Sequence, residues 1–367
     1  MPEGSRWGEV RRYTDYAMLF AMLALFGLGC MSVYSASPMS GGVSVYGSRQ
    51  LIWGAASAVF YIAILRIGYK NVFVATKPFF VLTLFLLVLL LAVGYTSKGA
   101  QRWFNLGFFR FQPSELGKVA FAMMLAHVCA IKPPTNWRNI LLVFLLSGVT
   151  IMVILVQPNL GSSIVYFVMM FAVILAAGMS YKLLAAMILG GLAMLPPLFF
   201  MLQPYQRTRI LIFFDPYIDP QGAGYNVIQS RIALGSGGLF GKGFMHGTQG
   251  KLHFLPEPHT DFIFSVFAEE FGFIGCAVVL LLFALLLWRI ISTAKYTKDI
   301  KAKLYCVAIA AWIWFQMTES VMMSMGLAPV TGLPLPLFSY GGSALLSVVI
   351  ALAIVQSIFV MSHEDRF

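Results

Sequence analysis

The sequence predicts an all-α, polytopic membrane protein with about ten transmembrane helices, and its composition, its apolar runs and its charge placement support this prediction. Of its 367 residues, 59% are hydrophobic and 11% are charged, whereas a soluble domain averages about 45–50% apolar and about 25% charged residues. Such a chain has too little polar surface to cover a water-soluble globule. The same numbers argue against a disordered chain, a disulfide scaffold and a nucleic-acid-binding module.

Ten apolar runs are long enough to cross the membrane as helices, which requires roughly 20 residues for about 30 Å of hydrocarbon. They lie at 16–36, 50–66, 72–94, 113–131, 139–156, 159–177, 180–200, 261–288, 303–325 and 340–361. The fifth and sixth runs are separated only by Gln157 and Pro158, so they form either two helices or one broken hairpin. Pro38 and the length of the first run favour an uncleaved span over a signal peptide.

The basic residues predict that both termini are cytoplasmic. An even number of spans puts the termini on one side of the membrane, and most Lys and Arg residues then fall in the inner segments. The short outer loops carry only Arg49, Lys98, Arg102 and Arg110. Cytoplasmic loops of membrane proteins are enriched in Lys and Arg, so the net charge of +11 mainly reflects topology.

The segment 201–259, between spans seven and eight, is predicted to be a long extracytoplasmic loop within a single domain covering 1–367. It is rich in glycine but also contains apolar residues, which favour short interfacial or re-entrant helices over disorder. Its stretch Gly235–Gly243 looks like a phosphate-binding loop. However, the glycine spacing is wrong by one residue and no Ser or Thr follows Lys242, so no nucleotide site is predicted.

Among the ionisable residues within the predicted spans, six are candidates for a functional site, because a charge costs about 2.5–3.5 kcal/mol at a helix centre. They are Glu115, Lys118, Asp261, Glu269, Glu270 and Glu319. Glu115 and Lys118 are three residues apart and share a helix face. They form a structural ion pair, bind substrate, or do both. For Glu269 and Glu270 we expect hydrogen bonding inside the helix bundle.

Asp261 is the preferred catalytic candidate, because the long outer loop brings it to the membrane boundary at the start of the eighth span. The alternative is that Asp261 complements the dipole of that helix, although Thr260 or His259 can cap it unaided. The outer side also carries the cations Arg49, Arg102, Arg207 and Arg209. If these arginines converge they can hold a diphosphate, and otherwise they are only solvated.

Five long motifs make the chain similar to the shape, elongation, division and sporulation (SEDS) family. They are Phe111–Lys118, Gln157–Ser163, Ile232–Gly243, Phe254–Phe264 and Gly332–Ser343. Gln112, Ser114, Ser339, Gly341, Gly342 and Ser343 belong to them as structural motif residues. Val330-Thr331-Gly332 resembles the elongation branch more than the division branch. Asn159 stands where the family commonly has Asp, and Ala344 where Ser is frequent.

The resemblance implies a ten-span peptidoglycan glycosyltransferase that polymerises lipid II at the outer face of the bacterial inner membrane. It places the family's essential aspartate at Asp261 and its Glu–Lys pair at Glu115 and Lys118. We include His259, Thr260 and the four outer arginines as further substrate-binding candidates. The implied partners are a class B penicillin-binding protein for transpeptidation, other elongation-machinery proteins, the nascent glycan and membrane lipid, with no nucleic acid.

The implied chemistry needs one base, because diphosphate leaves readily as an anion and cations stabilise the departing charge. We therefore expect Asp261 to act as general base in an inverting displacement, and a divalent cation at the diphosphate is left open. A carboxylate at a helix N-terminus is a weaker base, whereas desolvation acts in the opposite direction. The competing hypotheses are a flippase for the lipid-linked precursor, a non-catalytic scaffold, and the division paralogue with the same chemistry.

Overall fold

A computed structural model describes residues 4–37, 39–40, 43–97, 100–105, 107, 110–186, 189–190, 193, 200, 207, 211–220, 222–250 and 254–364. The helices are α1 Gly4–Tyr13, α2 Tyr16–Ser35, α3 Val45–Ile67, α4 Tyr69–Val74, α5 Thr76–Val93, α6 Pro113–Ile131, α7 Trp137–Val156, α8 Leu160–Ala176, α9 Ala223–Ser236, α10 Ile263–Tyr296, α11 Ile300–Met325 and α12 Gly342–Glu364. Among the described residues, 8 helices are long and apolar enough to cross a membrane, and α8 is a shorter apolar helix. The predicted helical, polytopic membrane fold is confirmed.

Nine of the ten predicted spans coincide with helices in the described part of the chain. Of the seventh, 180–200, only 180–186, 189–190, 193 and 200 are described. The fifth and sixth spans are separate helices, α7 and α8, which pack against each other. The eighth span was placed too short, since α10 continues to Tyr296.

Several helices begin where the sequence supplies a polar cap. Asp15 accepts a hydrogen bond from Met18 N at the start of α2, and Asn159 accepts one from Ser162 N at the start of α8. Ser44, Asn136 and Asp299 cap α3, α7 and α11 in the same way. Short polar side chains satisfy the first free N–H groups of a helix. Asn159 therefore has a capping role that either Asn or Asp can fill.

Short β-strands, which the sequence did not predict, occupy two of the loops between spans. Met39–Ser40 pairs with Val43–Ser44 between α2 and α3. Tyr95–Ser97, Ala100–Asn105 and Arg110–Phe111 form a three-stranded antiparallel sheet between α5 and α6. Strands this short lack the repeated alternation of apolar and polar residues that identifies longer ones.

The helices α6, α11 and α12 are the most buried of the described candidate spans. Helix α11 packs against α6, α8 and α10, and α12 packs against α3 and α6. The intramembrane residues Glu115 and Lys118 on α6, and Glu319 on α11, are buried. They therefore lie within the bundle and do not face lipid.

Helix α10 is broken at Gly272, whose φ of 66° and ψ of −164° are not helical. Backbone of the long segment before α10 fills the break: Phe273 N donates to Gly238 O at 2.9 Å, and Lys242 N donates to Glu269 O at 2.9 Å. The loop therefore supplies hydrogen bonds that an unbroken helix would make internally.

Close packing explains two of the glycines in the segment that resembles a phosphate-binding loop. A Cβ on Gly237 would lie 2.0 Å from Ala268 O, and one on Gly241 would lie 2.1 Å from Glu270 O. Short helices also occur in the long loop as expected, namely α9 and the 3₁₀ turn Pro216–Ile218.

Candidate active site

Asp261 lies just before α10 and is partly exposed. The helix begins at Ile263 with Phe262 at the N-cap position, and among the described residues this position makes no side-chain cap hydrogen bond. Phe262, and not Asp261, therefore occupies the N-cap position, and the alternative that Asp261 complements the dipole of α10 stays a prediction. Its carboxylate faces the loop after α11, because a Cβ added to Gly332 would lie 3.4 Å from Asp261 Oδ2. A residue without a side chain at Gly332 leaves the space beside this carboxylate open.

Hydrogen bonds from the turn before α12 fix the segment that carries Asp261. Ser339 Oγ donates to Thr260 O at 2.8 Å and accepts from Leu335 N at 2.8 Å. Tyr340 N donates to His259 O at 3.0 Å. Two of the motifs on which the family resemblance rests thus contact each other, and the predicted structural residue Ser339 joins them.

An aromatic cluster surrounds His259. Its ring stacks on Tyr46 with centroids 4.1 Å apart and an interplanar angle of 10°, and the Tyr340 ring lies 5.8 Å from it. Arg49 hydrogen-bonds to the Tyr340 side chain. Burial raises the pKa of the Tyr340 hydroxyl above its ordinary value, and the Arg49 guanidinium only partly offsets this. Arg49 and His259 are therefore both placed next to the Asp261 segment.

Glu115 and Lys118 form the predicted ion pair, with Lys118 Nζ 2.7 Å from Glu115 Oε1. Lys118 is 0% exposed, and its Nζ also donates to Gln316 Oε1 at 3.2 Å. Trp312 Nε1 donates to the same Gln316 oxygen at 2.6 Å. A buried charge needs such partners to offset its desolvation. The ion-pair interpretation is confirmed, whereas a direct contact with substrate stays a prediction.

One loop connects the ion pair to Asp261. Gln316 Nε2 donates to Pro334 O at 2.6 Å, and Glu319, one turn further along α11, accepts a hydrogen bond from Thr331 Oγ1. Glu319 is close enough to Asp261 for their charges to interact. Sequence reasoning noted Glu319 only as an intramembrane charge. Its spacing of three residues from Gln316 was the available signal that both face the same side of the helix.

The four arginines considered as a diphosphate-binding group have no contact residue in common within the described part of the chain. Arg102, on the strand Ala100–Asn105, donates to Gln157 O at 3.4 Å and to Pro158 O, so it lies at the break between α7 and α8. Arg207 donates to Phe200 O. Arg209 lies outside the described residues. Convergence of these cations on a diphosphate stays a prediction.

The remaining motif residues join the starts of α6 and α12. Gln112 N donates to Ser343 Oγ at 3.2 Å, and Gln112 Nε2 donates to Ser114 Oγ at 3.0 Å. Gly342 packs so closely on Trp53 that a Cβ would lie 2.2 Å from its ring, whereas at Gly341 the nearest atom would be at 3.5 Å. These contacts fit the structural role assigned to the motif.

The side chains of Glu269 and Glu270 accept hydrogen bonds from different segments packed around α10. Glu269 Oε1 accepts from Lys242 Nζ at 2.6 Å and from Thr248 N at 2.9 Å, while Glu270 accepts from the Ser35 hydroxyl of α2. The expected hydrogen bonding inside the bundle is confirmed. Within the residues that the structure describes, no three His, Cys, Asp or Glu side chains group as metal ligands, and a divalent cation at the diphosphate stays an open prediction.

Comparisons with known proteins settle the family. A profile described as cell cycle protein, covering FtsW, RodA and SpoVE, matches residues 15–364. The chain belongs to this family. The SEDS resemblance is thereby confirmed, since the same proteins make up that family.

Individual relatives match over nearly the full length. The peptidoglycan glycosyltransferase MrdB of Escherichia coli K12 is 37% identical over 96% of this chain and 94% of its own. One similar solved structure carries the description "Structural coordination of polymerization and crosslinking by a peptidoglycan synthase complex". It matches with a TM-score of 0.82 and 35% sequence identity, and the match covers 96% of this chain and 98% of that chain. The structure of the rod shape determining protein RodA of Thermus thermophilus matches with a TM-score of 0.72 and 29% identity, and this match also covers 96% of this chain and 98% of that chain.

Proposed function

We propose that this chain is a peptidoglycan glycosyltransferase that joins lipid II units into glycan strands. The observation that carries the proposal is the position of Asp261: it is partly exposed, lies outside the helix it precedes, and has its Oδ2 3.4 Å from the Cβ position of Gly332, a residue with no side chain. The name of the Escherichia coli relative, a peptidoglycan glycosyltransferase, supports the same activity.

In the proposed mechanism Asp261 takes the proton from the acceptor sugar hydroxyl. The hydroxyl oxygen then forms a bond to the anomeric carbon of the donor, and the bond from that carbon to the diphosphate breaks. The polyprenyl diphosphate leaves with the electron pair, so the leaving group needs no second acid. A single displacement inverts the anomeric configuration.

The position of Asp261 also suits a base. The helix dipole acts mainly within the first turn, and Asp261 precedes the N-cap of α10. Asp261 therefore lies outside the turn in which the dipole acidifies a carboxylate most strongly.

We propose that Arg49, His259 and Thr260 bind substrate around Asp261, since their segments lie against one another. Arg102, Arg207 and Arg209 are proposed to stabilise the diphosphate as it leaves. Glu115 and Lys118 act in this proposal mainly through the loop that Gln316 holds at Pro334.

The proposed setting is the bacterial inner membrane, with both termini cytoplasmic and the active site facing outward. Val330-Thr331-Gly332 favours a role in cell elongation over division. The proposed partner is a class B penicillin-binding protein. It is supported by a solved relative described as part of a peptidoglycan synthase complex that coordinates polymerization and crosslinking.

One experiment separates the competing functions. The purified full chain is reconstituted in vesicles with fluorescent lipid II and a class B penicillin-binding protein. Glycan polymer on a gel is the expected result. Movement of lipid II between leaflets without polymer would establish the flippase instead, and partner binding with neither activity would indicate a scaffold.

A further inference from the structure

Glu319 is a buried carboxylate to which the proposed mechanism gives no direct role. It lies on α11 and is 7% exposed. Its Oε1 accepts the Thr331 hydroxyl, and its Oε2 has no hydrogen-bond partner in the part of the chain that the structure describes. A neutral side chain would avoid burying a charge within the membrane, so its presence calls for a function.

The contact of Glu319 with Thr331 acts on the residue beside Asp261. Thr331 immediately precedes Gly332, whose Cβ position is 3.4 Å from Asp261 Oδ2. Gly332 has a φ of 73°, in the left-handed region that favours glycine. A glycine has many accessible conformations, so its neighbour must be held if the turn is to keep one shape.

Helix α11 holds this turn at two points. Glu319 binds Thr331, and Gln316, one turn earlier, binds Pro334 O at 2.6 Å. Gln316 is itself fixed by Lys118 and Trp312. The Thr331–Pro334 loop is therefore tied to the most buried part of the bundle on one side and borders Asp261 on the other.

We propose that Glu319 is a positioning residue, which holds Thr331 and Gly332 against Asp261 and thereby sets the geometry of the base. This inference rests on the proposed glycosyltransferase function. The charge gives the Thr331 hydroxyl a stronger acceptor than an amide would. Glu319 does not contact the reacting atoms in this proposal. It acts through Thr331.

The test compares variants of the full chain in the lipid II polymerisation assay. Glu319→Leu removes the acceptor, and Thr331→Val removes the donor at nearly constant shape. Each is expected to lower kcat roughly 10- to 100-fold, because misplacement by about 1 Å has effects of this size. KM should change less than about threefold, since substrate binding is retained.

Conservative variants and a double variant provide the matched controls. Thr331→Ser keeps the hydroxyl and should retain wild-type kcat, while Glu319→Gln keeps a weaker acceptor and should fall between wild type and Glu319→Leu. The double variant should be no slower than either single one, because both break the same contact. Thr318→Val, the same chemical change next to Glu319 on α11, should leave kcat unchanged.

Wild-type kcat in both Glu319→Leu and Thr331→Val would overturn the inference. So would a lower midpoint of thermal unfolding in Thr331→Val with kcat unchanged per folded molecule, since that result indicates stability alone. Asp261→Asn serves as the reference. If Asp261→Asn polymerises lipid II normally, the proposed function is wrong. If Asp261→Asn is inactive while Glu319→Leu and Thr331→Val are fully active, only the positioning role of Glu319 is wrong.

Discussion

The two charged sites of this molecule are built in opposite ways. Lys118 is completely buried and bonded to both Glu115 and Gln316, whereas Asp261 is partly exposed on a segment outside the helix. A buried pair stabilises a fold only while its partners remain in place. A carboxylate next to open space is instead accessible to substrate. The comparison indicates that the first site holds the loop that borders Asp261.

The largest expected effect comes from Asp261→Asn, which removes the base without removing a cap. We expect polymerisation to fall by roughly 10²–10⁴-fold, with the midpoint of thermal unfolding unchanged. Asp219→Asn, the same substitution on the long loop, is the control and should keep its activity. Normal polymer from Asp261→Asn would remove the distinction between the two sites.

The next largest effect is on stability. Lys118→Met leaves Glu115 buried and uncompensated, which costs about 3–5 kcal/mol of folding free energy. The double variant Lys118→Met, Glu115→Leu should recover most of that loss, as measured by thermal unfolding in detergent. If the recovered protein polymerises lipid II with an unchanged KM, the pair is structural. A strongly raised KM would instead assign Lys118 to substrate binding.

A third prediction concerns the break in α10. Gly272→Ala forces a side chain into the left-handed region and to within 2.4 Å of Gly241 N, which should cost about 1–3 kcal/mol. Limited proteolysis should then cut the loop near Lys242 more readily. Gly148→Ala, in a helix with no atom within 4 Å of the added Cβ, should be neutral. Equal behaviour of the two variants would contradict the proposed packing.

The smallest effect is expected for an ion pair that resembles Glu115–Lys118 but whose cation is partly exposed. Arg289 Nε lies 2.7 Å from Asp15 Oδ2, and Arg289→Leu should cost about 1–2 kcal/mol. The cost is smaller than for Lys118→Met because Asp15 keeps its bond from Met18 N and lies beside a partly exposed side chain. Polymerisation per folded molecule should stay constant. A change in kcat would show that charges distant from Asp261 also control the reaction.

The sequence predicted the features that depend on local composition. Apolar length alone located the nine spans that coincide with described helices, and the position of Asp261 between the long loop and the eighth span identified the catalytic candidate. The break at Gly272 could not be predicted, because residues on both sides of it favour a continuous helix. It depends on backbone from Gly238 to Lys242, about thirty residues earlier in the chain.

Contacts between distant segments account for the rest. The bond from Thr331 to Glu319 and the position of Arg102 at the Gln157–Pro158 carbonyls join parts of the chain that no local pattern relates. Asp261 was expected at the start of the helix and lies before it, because helix ends vary by a few residues. The sequence could therefore single out Asp261 as a candidate, but it could not predict the contacts of its segment.

The break at Gly272 also has a consequence for biosynthesis. The part of α10 after Gly272, up to Tyr296, is long enough on its own to cross the bilayer. The preceding part carries Glu269 and Glu270, and the segment 238–248 supplies hydrogen bonds to it. Membrane insertion therefore needs only the apolar part after the break. In the proposed topology the acidic part folds onto a segment that has first crossed the membrane, so the end of the helix next to Asp261 forms late in maturation.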